Sequence, residues 1–431
     1  MHDSVAQIMV NVEMASAGHR TEVRPASDIH IATSLVGLAA VILSLTVVGL
    51  LQLAGGMATI WVIALPALAM GLFDIAVLKE HRQPSAGLDF GRSRPELLVR
   101  LSRTALKLVA HWACWGTIAL IYWTIPEYRA PFYQVYFEAF RICFPWLAVI
   151  VPAYLFLFDR YQTDPKDDAW HFGNFLLRGR YGSTDLNRAK CHALGYALKG
   201  IFLPMLVPAI ASYLETSNGI SVSDLKYPLA YFYYIFDKIW LIDVIFGSIG
   251  YVFTLRILNS HIRYVYADGW IWAVTLICYS PLNAALLYSG GYYSGAHWYA
   301  LVPIDSAIGM AFMIAILFSV GMNTYANIAF GLRFSNIAHR GIMTSGPYAW
   351  FKHPAYLFKN IGFWLISAPF IVTDGPLTAV RGCMLILILN GVYYLRAKGE
   401  EIALMPDPKY RAYVDYIDQH GFLARAKKLL H

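Results

Sequence analysis

Two short segments near the C-terminal end of the sequence hold residue types that can grip a small ligand. The first runs Thr344-Ser345-Gly346-Pro347-Tyr348-Ala349-Trp350-Phe351-Lys352-His353-Pro354-Ala355-Tyr356. Gly346-Pro347 is a turn signal. Pro354 stands where a helix would begin, because its missing N–H is no loss there. The first turn of such a helix offers free N–H groups and partial positive charge to a carboxylate or another anion. The second segment runs Tyr393-Tyr394-Leu395-Arg396-Ala397-Lys398-Gly399-Glu400-Glu401-Ile402. Arg396 and Glu400 are four residues apart and share one helix face. An amphipathic stretch follows at 408–417, with Tyr410, Tyr413 and Tyr416 spaced by three. Interface packing is the simpler reading of those rings.

The elements that must position these residues are membrane spans. The chain has 431 residues, 58% of them hydrophobic and 14% charged, against roughly 25% charged in soluble domains. Its net charge of +7 fits basic loops on one side of a bilayer more simply than nucleic-acid binding. Apolar runs of spanning length occur at about 29–54, 57–78, 104–125, 140–158, 198–214, 228–255, 269–287, 298–322, 355–372 and 377–395. The first is too long for the apolar core of a signal peptide. Basic residues follow every second run: Lys79, Arg82, Arg92, Arg94, Arg100 and Arg103; then Arg160, Lys166, Arg178, Arg180, Arg188 and Lys190; then Arg256 and Arg263; then Arg333, Arg340 and Lys352; then Arg396, Lys398 and the tail. The alternate connections are poor in Lys and Arg, with Arg129 and Lys226 as exceptions, and Arg141 and Arg381 at the adjoining span ends. Positive loops stay in the cytoplasm. The expectation is an all-α, polytopic transmembrane helix bundle of about ten spans in five hairpins, with both termini cytoplasmic.

Ionisable groups at membrane depth carry a functional hypothesis. Asp237, Lys238 and Asp243 fall in the sixth run, Asp305 in the eighth, and Asp74 and His111 near the ends of theirs. Asp237 and Lys238 are adjacent and point about 100° apart on a helix, so their partners are expected on other helices. They form either a polar lock between helices or part of a substrate cavity or proton relay. Asp164, Asp167, Asp168, His171 and His192 share the longest soluble segment, 159–199. Their spacing matches no metal-ligand motif, so this is read as a solvated loop with 170–177 lying amphipathically on the membrane surface. The five cysteines form no CxxC pair and are read as small apolar residues. No metal site is expected.

The two C-terminal segments together resemble the isoprenylcysteine carboxyl methyltransferase family of membrane enzymes, which use S-adenosylmethionine. The family element is Gly-x-Tyr, an aromatic pair, Arg-His-Pro-x-Tyr, and a pair of glutamates ending the next helix. Here it is Gly346-Pro347-Tyr348, Trp350-Phe351, Lys352-His353-Pro354-Ala355-Tyr356 and Glu400-Glu401. The resemblance covers about 330–417. It implies that the cofactor is held by Arg340, Gly341, Ile342 and Met343, by Tyr348, by His353, Pro354, Ala355 and Tyr356, and by Glu400. His339 occupies the approximate place of another contact. It implies that Arg396 faces a substrate carboxylate. Lys352 replaces the usual Arg and loses a fork of donors. Phe358 stands where a Gly often follows. Lys359 and Asn360 are unusual just inside a span; they would contact a polar headgroup or snorkel.

The chemistry of these residues agrees with that cofactor. Glu400 or Glu401 can pair with its amine or hydrogen-bond its ribose, and Trp350 and the tyrosines offer ring faces to adenine and sulfonium. Arg396 can orient an anionic acceptor. Arg396, Glu400, Glu401 and His353 are the candidate catalytic residues. A carboxylate acceptor needs no base, whereas a hydroxyl or amine needs one, with His353 or Glu401 the candidates.

The expected organisation is a cytoplasmic segment at 1–28, transmembrane helices at 29–290 with a cytoplasmic loop near 159–197, and a methyltransferase core at 297–431. The expected function is S-adenosylmethionine-dependent methyl transfer, at the cytoplasmic face, to a lipophilic acceptor from the bilayer: a prenylcysteine-like carboxylate or another lipid or isoprenoid. The membrane would be the inner membrane of a bacterium or the endoplasmic reticulum of a eukaryote. Two other readings stay open. One is an NADPH-dependent sterol or lipid reductase, with Arg333 and Arg340 for the 2′-phosphate. The other is a transporter or non-catalytic scaffold using the intramembrane Asp237, Lys238 and Asp243.

Overall fold

The chain folds as a bundle of long apolar helices, seen in a computed structural model that describes residues 23–93, 95–179, 185–219, 221–279, 282, 298–300, 302–368 and 375–430. Several expectations fall outside the described residues: the N-terminal segment up to 22, the charges Arg94 and Arg180, the end of the run at 269–287, the connection at 289–297, and the end of the run at 355–372 with Thr373. The helices are α1 (Ile31–Leu50), α2 (Gly55–Ala76), α3 (Leu97–Thr124), α4 (Pro131–Asp159), α5 (Asp168–Arg178), α6 (Leu186–Gly219), α7 (Pro228–Val252), α8 (Gly269–Leu276), α9 (Ala307–Ile328), α10 (Pro354–Ser367), α11 (Pro376–Leu404), α12 (Pro408–His420) and α13 (Phe422–Leu430). One small antiparallel ladder joins β1 (Tyr264–Val265) to β2 (Ala338–His339), pairing Tyr264 with His339.

Seven helices among the described residues are long and apolar enough to cross a membrane: α1, α2, α3, α4, α6, α9 and α11. The chain is a multi-pass integral membrane protein. Its outward faces carry large apolar residues such as Leu43, Leu72, Trp146, Val149 and Met384, as contact with lipid requires. The ten apolar runs do not become ten full-length helices. α7 has the length, but Asp237, Lys238 and Asp243 interrupt its apolar character. α8 is short, and the run at 355–372 gives only the fourteen residues of α10. Asp305 lies exposed in the turn before α9 rather than within a span.

The core lies where α1, α2, α6 and α7 meet, around Val41, Val62, Met70, Phe202, Ile245 and Phe246. The connections that follow α2, α4, α7 and α9 gather at one end of the bundle. Residue 88 bridges to 162, Asn259 donates to Glu80 at 2.8 Å, and Arg333 pairs with Glu80 at 2.7 Å. The α1–α2 connection lies at the other end, where the Gly56 N–H donates to Glu138 near the start of α4. This arrangement matches the alternation of basic and non-basic loops.

The segment at 159–199 is not simply a solvated loop. α5 packs between α3 and α6 and buries Trp170, His171 and Asn174. Gly173 lies directly on the Leu106 backbone of α3, an approach that a Cβ would prevent. Asp167 caps α5 by accepting from the Trp170 N–H at 3.2 Å. Its carboxylate also pairs at 3.1 Å with Lys107, whose side chain is fully buried. Asp159 takes Arg103 at 2.6 Å and Lys107 at 3.6 Å, and Gln162 accepts from Lys107 at 2.6 Å. Burial opposes the Asp167 charge, but Lys107 and Arg256 hold its pKa below the usual carboxylate value. Removing one partner of such a buried group leaves an uncompensated charge. Lys107→Met should therefore destabilise the protein by about 3–5 kcal/mol, read as an earlier loss of monodispersity on heating in detergent. Adding Asp167→Asn should restore part of the loss.

Candidate active site

The loop between α9 and α10 is built on two arginines. Arg340 is buried, and its guanidinium donates to the carbonyls of Gly250 (2.7 Å), Phe334 (2.7 Å), Leu332 (2.8 Å) and Ser260 (2.8 Å). Burial and the neighbouring Arg333 pull its pKa down to about 9, which leaves it charged at neutral pH. Arg333 holds the Asp28 carbonyl at 2.6 Å and Glu80 at 2.7 Å. The segment before α1 then lies along the loop: Asp28 N–H donates to the Ile342 carbonyl and Ile342 N–H to the Asp28 carboxylate, both at 2.9 Å. Lys409 on α12 also binds Asp28. Gly341 adopts φ +128° with the Asp28 Cβ pressed against it, a conformation that L side chains resist.

The second part of the site forms where the start of α10 meets the end of α11. α10 begins at Pro354, as its sequence requires, and His353 makes no side-chain cap bond to the first turn. The His353 ring stacks on Tyr356, 5.7 Å between centroids, with one nitrogen 3.2 Å from Glu401 and the other 3.7 Å from Glu400. The Tyr356 hydroxyl donates to Glu400. Arg396 lies 3.6 Å from Glu400, donates to Asn336 Oδ1 at 2.5 Å, and places its guanidinium 4.8 Å from the Tyr356 ring centre. Glu401 is held by Lys398 at 2.7 Å. Glu400 therefore faces a hydroxyl, an imidazole and a guanidinium, while Glu401 braces the imidazole from behind.

One cavity joins the two parts. Its lining includes His339, Gly341, Ile342, Met343, Tyr348, His353, Ala355, Tyr356, Arg396 and Glu400. Three of the sequence candidates stand apart from that lining. Pro354 only starts the helix. Glu401 acts through His353. Arg340, read from the resemblance as a cofactor contact, has its guanidinium occupied by backbone carbonyls, so its side chain is structural. His339 sits on β2, 3.6 Å from Asp407; burial and Arg263 lower its pKa, so it is neutral at pH 7.

The sequence did not single out other residues of the lining. Tyr266 and Tyr279 come from the region before α9, and Ser335 and Asn336 from the loop. Asn336 ties the arginine to the earlier helices through the hydroxyls of Tyr251 (2.9 Å) and Tyr279 (3.1 Å). Tyr410 and Tyr413 also line the cavity. Tyr413 donates to the Tyr348 carbonyl at 2.8 Å, so these rings are more than interface packing. Only the spacing of three on an amphipathic helix signalled them.

The groups at membrane depth separate into two kinds. Asp74 accepts from Thr33 at 2.5 Å and His111 contacts Tyr196 at 2.5 Å, both locks between helices. Lys238 lies over Tyr234 of its own helix at 5.2 Å, and among the described residues neither it nor Asp237 makes an ion pair with another helix. Asp243 is different: it lines the cavity together with Lys359. Among the described residues no group of three His, Cys, Asp or Glu side chains is placed to hold a metal.

Asp28 is the hinge of this assembly for pH. Burial opposes its charge, but Lys409, the Ile342 N–H and Arg263 outweigh burial and hold its pKa below 3.8. A depressed carboxylate stabilises the fold above its unfolded pKa and loses that contribution as pH falls through the folded one. Amide exchange at 341–344, corrected for intrinsic rate, should therefore stay slow at neutral pH and speed up below about pH 4. Asp28→Asn should show the faster exchange already at neutral pH.

Residues 307–406 match the model of the isoprenylcysteine carboxyl methyltransferase (ICMT) family. The C-terminal part of the chain, from the start of α9 to the end of α11, carries that family's domain, which supports a membrane methyltransferase in general terms. No curated protein and no solved structure matches the chain.

Proposed function

We propose that the protein transfers a methyl group from S-adenosylmethionine to a lipophilic acceptor that enters from the bilayer, at the cytoplasmic end of the bundle. One observation carries this reading: the loop at 339–343 and the cluster of His353, Tyr356, Arg396 and Glu400 line the same cavity. The residues fit the cofactor's charges. Glu400 suits its amine. The uncapped first turn of α10 suits its carboxylate. Tyr348, Tyr356 and Tyr410 suit its adenine and sulfonium. Ser335 Oγ is buried without a hydrogen-bond partner among the described residues, and His339 Nε2 and Arg396 Nε face carboxylates only at 3.6 Å, so polar capacity remains for a ligand.

When bound, the cofactor supplies an electrophilic methyl group: the acceptor's lone pair forms the new bond as the carbon–sulfur bond breaks, its electron pair staying on sulfur in S-adenosylhomocysteine. Glu400 and Tyr356 position, Arg396 orients an anionic or polar acceptor, and His353, braced by Glu401, fixes Glu400. The core of this activity is assigned to 297–431.

The reductase reading loses its anchor, because Arg333 and Arg340 are both occupied within the protein and neither is offered to a 2′-phosphate. Of the three residues that suggested transport, Asp237 and Lys238 lie apart from the cavity lining and Asp243 alone borders it.

Calorimetry on the purified chain should show binding of S-adenosylmethionine but not of NADPH. Glu400→Ala should weaken it by about tenfold or more, the worth of a charge-assisted contact. Binding of NADPH instead, or no response to Glu400→Ala and His353→Ala, would sink the proposal. Tritiated methyl transfer to a total lipid extract then identifies the acceptor.

A further inference from the structure

The cavity does not end at the cofactor cluster. It continues between α7, α9 and α10 to a group of polar side chains among Phe202, Leu206 and Phe334. Asp243 lies nine residues inside the end of α7, roughly 14 Å along the helix. Asn323 and Asn327 face it from α9, and Lys359 from α10. Asn327 Nδ2 donates to Asp243 Oδ1 at 2.8 Å. Lys359 lies within electrostatic range of Asp243, with its ammonium 5.6 Å from the Trp240 ring centre and 5.9 Å from that of Tyr393. Asn323 is only 1% exposed, and its Nδ2 has no hydrogen-bond partner among the described residues.

Such a set is costly at membrane depth unless something uses it. Its chemistry is specific. Asp243 and Lys359 have opposite formal charges, so an added charged ligand group would lack a counter-charge in a low-dielectric site. The ligand group should therefore be neutral. Asn323 and Lys359 can donate, while Asp243, a carboxylate with two oxygens, keeps acceptor capacity beyond Asn327 and the adjacent Thr324 hydroxyl. The ligand group should therefore both accept and donate, as a hydroxyl does.

We infer that the Asp243–Asn323–Lys359 end of the cavity is a lipid subsite that takes a neutral hydroxyl-bearing lipid, its hydroxyl accepting from Asn323 and donating to Asp243. The subsite does not rest on the methyltransferase reading: the hydroxyl is held by Asp243 and Asn323 rather than at Arg396 and Glu400, so it is a binding group and not the group methylated. In this subsite Lys359 acts in the cavity rather than in snorkelling.

The probes are tritiated geranylgeraniol, its methyl ether and geranylgeranoic acid, in equilibrium binding to the purified full-length chain in detergent. A site built to hydrogen-bond a hydroxyl rejects analogues lacking it strongly, because its buried groups are left unpaired. The alcohol should bind about tenfold or more tighter than the ether and the acid. Asp243→Asn, whose amide cannot accept with the nitrogen left facing the ligand, and Asn323→Leu should each erase most of that preference. Equal binding of the three probes to the unmodified protein, absence of binding, or a full preference retained in both variants would overturn the inference. The unmodified protein alone is decisive if a variant does not fold. S-adenosylmethionine binding, measured separately, decides the methyltransferase reading: its absence with the alcohol preference intact leaves the subsite standing.

Discussion

The guanidinium of Arg340 is enclosed by protein and surrounded by carbonyl oxygens from three separate stretches of chain. Leu332 and Phe334 belong to its own loop, Gly250 to the end of α7, and Ser260 to the turn after it. A buried cation stays charged only if its donors are satisfied, so these carbonyls must be held where they are. That requirement fixes the loop after α9 against the helices before it. Gly341 and Ile342 follow directly, which places the wall of the cavity. Arg333 repeats the device seven residues earlier, tying Glu80 and the Asp28 carbonyl to the same loop.

This frame gives the earlier helices a structural purpose. The matched family segment begins at 307, yet Phe202, Leu206, Asp243, Tyr266 and Tyr279 all line the cavity from before it. Arg396 shows the dependence most directly. It lies on α11, but the amide oxygen that receives it belongs to Asn336, which is itself oriented by Tyr251 and Tyr279. The C-terminal hairpin supplies the residues with recognisable spacing, and the earlier region supplies the wall that holds them.

What the sequence revealed follows from this division. Pro354, Gly346-Pro347 and the pair Arg396/Glu400 are local features: turn chemistry, a helix start and a four-residue spacing act within a few residues, so they were legible. The meeting of His353 with Glu400 and Glu401 was legible only through the resemblance. Asn336 and Tyr279 were not, because each matters through partners more than fifty residues away. Arg340 shows the converse. Its place in the motif was visible, but a side chain directed into the protein rather than into the cavity has the same sequence. Hydropathy located the runs but did not tell full-length apolar spans from a long helix interrupted by charged groups, as at α7, or from a short helix, as at α10. The loop alternation survived because it depends on which end of the bundle each connection occupies rather than on any helix boundary.

Asp243 connects these points. As a residue in an apolar run it was indistinguishable from Asp74, which the fold uses as a lock with Thr33. The difference between them is geometric. Asp74 is closed off by α1 and the loop arginine, whereas Asp243 borders open space shared with Glu400, Arg396 and Lys359. A carboxylate closed within packed helices contributes to the specificity of the fold. One that borders a cavity, beside an amide nitrogen without a hydrogen-bond partner among the described residues, retains hydrogen-bonding capacity for a ligand or water. The cavity thus brings the Glu400 and Arg396 cluster and the Asp243, Asn323 and Lys359 group into one lining, with Phe202, Leu206 and Phe334 among its apolar members. On the proposed readings, the first group would meet a charged cofactor and the second the polar group of a lipid.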